Sequence, residues 1–119
     1  MFNFVKLETW QKATGFADLV YEVTRRFPAD ERFGLTNQMR RAAVSISSNI
    51  AEGPARNSRN DYARYLEIAT GSLFEVVSQS FVGKRQGLLS EIDFRKLYTA
   101  AEEQGKMLSG LRRSVLKDS

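Results

Sequence analysis

Apolar residues recur at steps of three and four along four segments of this chain, with charged and polar residues filling the other sides. In the first, about residues 7–27, Leu7, Trp10, Ala13, Ala17, Val20, Tyr21 and Thr24 form a stripe opposite Glu8, Gln11, Lys12, Asp18, Glu22 and Arg25. That spacing predicts an amphipathic helix, stopped where Pro28 disfavours helical backbone at Phe27. A second apolar line (positions 16, 19, 23 and 27) runs beside the line 10, 13, 17 and 20. A four-helix core needs one of these lines, so the surplus predicts self-association.

The second segment, about 36–52, places Leu35, Met39, Ala42, Ala43, Ile46 and Ile50 on one side among many small residues. Small side chains let neighbouring backbones approach, which suits a central helix, and Gly53-Pro54 is a stop signal. Asn49 lies near the apolar side and needs a hydrogen-bond partner inside the protein or at an interface.

The third segment, about 59–85, opens with Ser58, a hydroxyl suited to capping free N–H groups, and Asp61 three residues on. Tyr62, Tyr65, Leu66, Ala69, Leu73, Val76, Val77 and Ser80 carry its period, Gly71-Ser72 suggests a close helix contact, and Gly87 ends it. The fourth, about 91–116, repeats the capping device with Ser90 and Asp93. Phe94, Leu97, Ala101, Gln104, Leu108, Leu111 and Val115 then make the clearest packing seam in the chain. Short links between four such stripes predict an all-α fold, an antiparallel up-down-up-down four-helix bundle in one domain over residues 1–119. A three-helix core with the fourth helix lent to a partner is the alternative.

The chain has 119 residues and neither Cys nor His. This removes disulfides, thiolate nucleophiles, imidazole or thiolate metal sites and the usual general base near neutral pH. The candidate carboxylates, Glu52, Asp61, Glu67 and Glu75, show no catalytic spacing, and no phosphate-loop or nucleophile motif occurs. The expectation is a non-enzymatic protein with no cofactor and no metal. No segment reads as a membrane span or secretory signal, so the expected location is cytoplasmic.

The net charge of +4 is unevenly spread: residues 35–66 and 104–119 each carry +3, residues 1–34 are neutral and residues 67–103 carry −2. Every positive charge in the first basic stretch is an arginine: Arg40, Arg41, Arg56, Arg59 and Arg64. The planar guanidinium suits phosphate as well as carboxylate, which makes these five the candidate nucleic-acid contacts. Arg56 and Arg59 beside the N–H groups at Ser58 and Asn60 resemble an anion-binding corner, or equally a seat for a carboxylate of the chain itself. Glu52, unfavourable at a helix C-terminus, is explained by a salt bridge to Arg56 or Arg59 or by a functional role. Tyr62 and Tyr65 read either as base-stacking groups or as packing groups.

The run from Gly34 through Leu35, Met39-Arg40-Arg41 and Ile46-Ser-Ser-Asn-Ile-Ala-Glu-Gly53, followed by Ser58, Asp61 and Ile68-Ala-Thr-Gly-Ser72, resembles the bacterial four-helix-bundle family named after 23S rRNA intervening sequences. Trp10-Gln-Lys-Ala13 and Phe27-Pro28 agree with it, while Ser80–Gly87 is less regular than the family pattern. The resemblance implies a ring-shaped homopentamer, and a relation to the accessory protein of diversity-generating retroelements, which associates with a reverse transcriptase and nucleic acid. It marks Gln38, Arg40, Arg41, Asn49, Glu52, Arg56, Ser58, Arg59 and Asp61 as the motif's polar residues. The implied partners are other copies of the chain and RNA or DNA; a scaffold recruiting another protein, such as a polymerase, is the alternative.

Overall fold

The computed structural model describes residues 2–117. Its helices are α1 (Glu8–Thr24), α2 (Leu35–Glu52), α3 (Arg59–Arg85) and α4 (Glu91–Lys117), with short 3-10 turns at Asn3–Lys6, Ala29–Glu31 and Gly53–Ala55. α2 packs on α1 and α3, and α4 on α3 and α1, which closes the four helices into an up-down-up-down bundle 49 Å long.

Two turns fix the long α3–α4 hairpin. At the end of α3, the Gly87 N–H reaches the Lys84 carbonyl (3.1 Å) and the Leu88 N–H the Gly83 carbonyl (2.9 Å), while Gly87 takes φ +75°. This is a Schellman cap, and it needs the left-handed backbone glycine adopts without strain. Two residues on, the Ser90 hydroxyl accepts the Asp93 N–H at 3.1 Å and starts α4. The irregular stretch Ser80–Gly87 is therefore ordinary helix up to Arg85, ended by this cap. Ser58 does the same for α3, accepting the Asp61 N–H at 3.0 Å. α2 starts differently: Gly34 offers no side chain, and Glu31 Oε1 accepts the Leu35 N–H instead (3.2 Å).

α1 corrects two expectations. It ends at Thr24 rather than 27, and Phe27 turns inward on its non-helical backbone to lie 8% exposed. Both apolar lines of α1 are largely inside the bundle: Ala13, Val20, Phe16 and Val23 are buried, and Leu19 packs against the core. The reason is geometric. A helix at the corner of a four-helix square faces two neighbours at once, α2 and α4 here, so it buries two adjacent lines. The expected surplus on α1 does not exist.

α2 buries Met39, Ala42, Ala43, Ile46 and Ile50, the side read from the sequence. Its contact with α3 is stitched by Ser45 Oγ and Ser72 Oγ at 2.9 Å, and Asn49 Nδ2 donates to the Ser45 carbonyl (2.8 Å) and hydroxyl (3.1 Å). The partner of Asn49 is thus within its own helix. Gly71 is exposed, and an added Cβ there would meet nothing within 4 Å, so the close contact belongs to Ser72 and not to Gly71. In α4, Gln104 is 1% exposed, and its amide donates to the Thr9 carbonyl at 3.2 Å. That bond satisfies the one polar member of the seam and sets α4 level with the first turn of α1.

Gly53 sits against the ring of Tyr62, where an added Cβ would lie 2.6 Å from Cδ1. Gly53→Ala should therefore destabilise the bundle by about 1–3 kcal/mol through overpacking. Gly71→Ala should instead stabilise it by roughly 0.5–1 kcal/mol, because the site is open and alanine prefers a helix. Urea unfolding of both variants checks the pair; equal effects of the same sign would contradict this packing.

Candidate nucleic-acid interface

The antiparallel hairpin brings residues 56–64 of the first basic segment and the last basic segment to one end of the molecule. Arg112 Nε lies 2.7 Å from Glu67 Oε2, placing the last turns of α4 beside the first turns of α3. Beyond Gln104, which is level with Thr9, α4 runs on for about 20 Å at 1.5 Å per residue. This end carries Lys6, Arg56, Arg59, Arg64, Lys106, Arg112, Arg113 and Lys117, all exposed, against Glu8, Glu52, Asp61 and Glu67. Asp118, counted with the last basic segment, lies outside the described residues, as do Met1 and Ser119.

The opposite end is electrostatically different. Arg26 pairs with the buried carboxylate of Asp93. Glu91 takes Lys84 at 2.7 Å and Arg95 at 2.6 Å, and these hydrogen bonds, that of Lys84 first, hold its carboxyl below the usual range. Lys84 also lies 4.6 Å from the centre of the Phe94 ring. Sequence reading missed the Arg26–Asp93 and Lys84–Glu91 ties because each crosses from one element to another, with no local pattern to announce it; Glu91–Arg95, four residues apart on α4, is the one with a local signal, and Asp93 was visible only as part of a cap.

Among the described residues, none of the five candidate arginines forms an ion pair with a carboxylate. Their settings differ. Arg56 Nη1 donates to the Tyr65 hydroxyl at 3.2 Å, with the guanidinium 5.0 Å from the ring centre. That contact holds one face of Arg56 on an aromatic ring and leaves its side chain at the surface. Arg59 is the first residue of α3, where a cation opposes the positive end of the helix dipole, and Asp61 in the same turn offsets it. Arg64 is exposed one turn further along α3.

Arg40 and Arg41 stand apart from this end. Arg40 Nε donates to Thr24 Oγ1 (2.9 Å) and Nη2 to the Tyr21 carbonyl (3.4 Å), with the guanidinium 4.5 Å from the Tyr21 ring centre. A cation on the last carbonyls of α1 completes that helix terminus, so Arg40 is occupied by its own fold. Arg41 is exposed on the flank of α2. There it lines a shallow polar groove of about 330 Å³ with Gln38, Ser45, Ser72 and Glu75. Ser45 and Ser72 lie about 20 Å along α3 from Arg59, at helical rise, so the structure divides the five arginines into two groups.

The other motif residues fall into place locally. Ser58 is a helix cap, and Asp61 gives it its backbone N–H. Glu52 is exposed, and the expected salt bridge to Arg56 or Arg59 is not formed among the described residues. The turn Gly53–Ala55 separates Glu52 from the arginines, and Arg56 turns to the Tyr65 hydroxyl instead. Tyr62 is half-buried against Gly53, and burial raises its phenol pKa above the ordinary value. It is a packing group; Tyr65 is a platform for Arg56.

No group of three or more carboxylates able to hold a metal occurs among the described residues, and no described helix is long and apolar enough to cross a membrane. The class defined by this architecture is a small all-α bundle with a basic end. Its family follows from the sequence: the profile of the 23S rRNA-intervening sequence protein family matches residues 5–110, and the chain belongs to that family. The bundle is similar to the crystal structure of a protein of unknown function from the S23 ribosomal protein family of Bacteroides thetaiotaomicron, with a TM-score of 0.78 and 21% identity over 88% of this chain and 98% of that one. At that identity the likeness concerns the fold. No curated protein matches the chain.

The division of the arginines has a direct consequence. Arg40→Ala should cost about 1–2 kcal/mol of stability by uncovering the end of α1. Arg59→Ala should leave stability unchanged or slightly raised, since it removes a cation from a helix N-terminus. Thermal and urea unfolding of the two variants distinguish the roles, and a destabilised Arg59→Ala would contradict this assignment.

Proposed function

We propose that the protein is a non-enzymatic, cytoplasmic, oligomeric nucleic-acid-associated protein whose basic end contacts phosphate without strong sequence readout. The observation that carries the reading is the convergence of two sequence-distant basic segments on one end of the bundle, with Arg56, Arg59 and Arg64 unpaired by carboxylates. Guanidinium groups in that state lose little when they exchange water for phosphate oxygens. Arg41 adds a weaker contact from the flank of α2, and Arg40 contributes field rather than a hydrogen bond. Ser58 and Asp61 shape the corner at the start of α3, Glu52 lies at the end of α2 next to it, and Asn49 and Gln38 lie further back along α2.

Assembly strengthens this reading. One bundle end offers a handful of cations, too few for firm binding at physiological salt, whereas several copies with aligned ends multiply the patch. A homopentamer is the assembly the family resemblance favours. The family's name, taken from intervening sequences of 23S rRNA, makes structured RNA the first polymer to test, with DNA of equal length beside it.

Binding to RNA, followed by fluorescence anisotropy, should weaken steeply as salt rises, with a slope of log K against log[salt] near −0.9 per displaced phosphate counterion for duplex, or about −0.7 for single strands. Joint replacement of Arg56 and Arg59 by Ala should lower affinity at least tenfold and flatten the slope. Absence of binding to either polymer at low salt would remove the reading.

A further inference from the structure

The polar groove between α2 and α3 holds two opposite charges that do not meet. Arg41 and Glu75 both line it, yet among the described residues neither forms an ion pair. The two helices run antiparallel here, with Ser45 against Ser72 and Leu35 against the backbone of Gly83. That register sets Gln38 opposite Gln79 and Arg41 opposite Val76, beside Glu75. Below the exposed rim, the hydroxyls of Ser45 and Ser72 bond each other, and Asn49 Nδ2 donates to Ser45 Oγ at 3.1 Å, so the groove has a fixed floor.

Gln79 is 8% exposed and lies one turn along α3 from Glu75, where its Nε2 donates to Glu75 Oε2 at 3.3 Å. The other end of the same amide, Oε1, is buried without a hydrogen-bond partner. A buried orphan oxygen destabilises a fold, and a methionine would fill the position without one. Turning the amide over would set Oε1 against the carboxylate, so the orientation that leaves the orphan is the one that holds Glu75. One carboxylate oxygen is thereby fixed, and the other is left for a donor in the groove.

A phosphate beside Arg41 would also face Glu75, which repels it. What fits is an uncharged group with acceptors for the guanidinium and two adjacent donors for the carboxylate. Guanine alone among the RNA bases presents that order: N7 and O6 accept, and N1–H and the N2 amino group donate on the adjoining edge. The N–H of uracil lies between two acceptors, and the amino groups of adenine and cytosine lie beside acceptor ring nitrogens. We propose that this groove binds the edge of a guanine base, with Arg41 donating to O6 and N7 and Glu75 accepting from N1–H and the N2 amino group. Gln79 is a positioning residue that acts through Glu75.

The inference rests on the nucleic-acid part of the reading above and adds a preference for one base to a contact otherwise blind to sequence. A groove of about 330 Å³ has room for a single base. Being shallow, it holds a free base weakly. An unpaired base on a strand already held by the basic end, about 20 Å away along α3, arrives at high effective concentration.

Fluorescence anisotropy with the full chain at one low salt concentration compares a uridine oligonucleotide with the same strand carrying one central guanosine. The guanosine strand should bind about tenfold tighter. Inosine in its place, which lacks the N2 amino group, and 7-deazaguanosine, which lacks N7, should each lose most of that gain. Glu75→Gln should abolish the preference yet bind the plain uridine strand as tightly as the parent or tighter, because it removes a negative charge. Gln79→Met should weaken the preference with an unchanged or raised melting temperature, whereas loss of a merely structural glutamine would lower it. Guanosine monophosphate should bind far more weakly than the guanosine strand; equal affinity would keep the guanine site and move its ligand from RNA to the free nucleotide. Equal binding of the guanosine and uridine strands, or a preference that survives Glu75→Gln, overturns the site and leaves the proposed function standing. A protein that binds neither strand refutes both.

Discussion

The antiparallel pairing of α3 and α4 is the constraint on which the rest of the molecule depends. Two long helices joined by a Schellman turn at Gly87 and a serine cap at Ser90 must run back alongside each other. That return places residues 56–67 next to residues 106–117, although half the bundle lies between them in sequence. The basic end is a product of this connection. A parallel arrangement of the same two helices would separate the charges by the length of the molecule.

The two ends of the bundle use charge in different ways. At the turn end, Arg26 holds the buried carboxylate of Asp93, and Lys84 and Arg95 pair with Glu91. Such ties lock α1, α3 and α4 in register. At the other end, Arg112 and Glu67 form a surface pair while Arg56, Arg59 and Arg64 stay clear of acids. Mutual repulsion there is tolerated because the groups are exposed and water screens them. A surface that accepts such repulsion is suited to an anionic partner, which connects the electrostatics of the fold to the proposed association with nucleic acid.

Much of the site was legible at the level of residue type and little at the level of role. The concentration of arginine between residues 40 and 64 was visible in the sequence. That Arg40 closes the end of α1, while Arg56 lies on Tyr65, depends on which helices are adjacent, and composition carries no such information. Glu52 illustrates the same limit. Its spacing from Arg56 and Arg59 suggested a salt bridge, but the intervening Gly53–Ala55 turn changes the direction of the chain and parts them. Spacing predicts contact only while the backbone stays regular.

Local physics fixed the four helices, their caps at Ser58 and Ser90, the stop at Gly87 and the core sides of α2 and α4. Each of these is decided within a few residues by hydrogen bonds, backbone freedom and apolar period, and so is written in the sequence itself. The tertiary structure alone decided where the apolar surplus lies. Periodicity reports how wide a stripe is, but not how many neighbours a helix has. α1 carries a broad stripe and spends it on two neighbours at a corner of the square. α3, with Phe74 and Phe81 one line away from its buried side, has its neighbours elsewhere and leaves those rings in water.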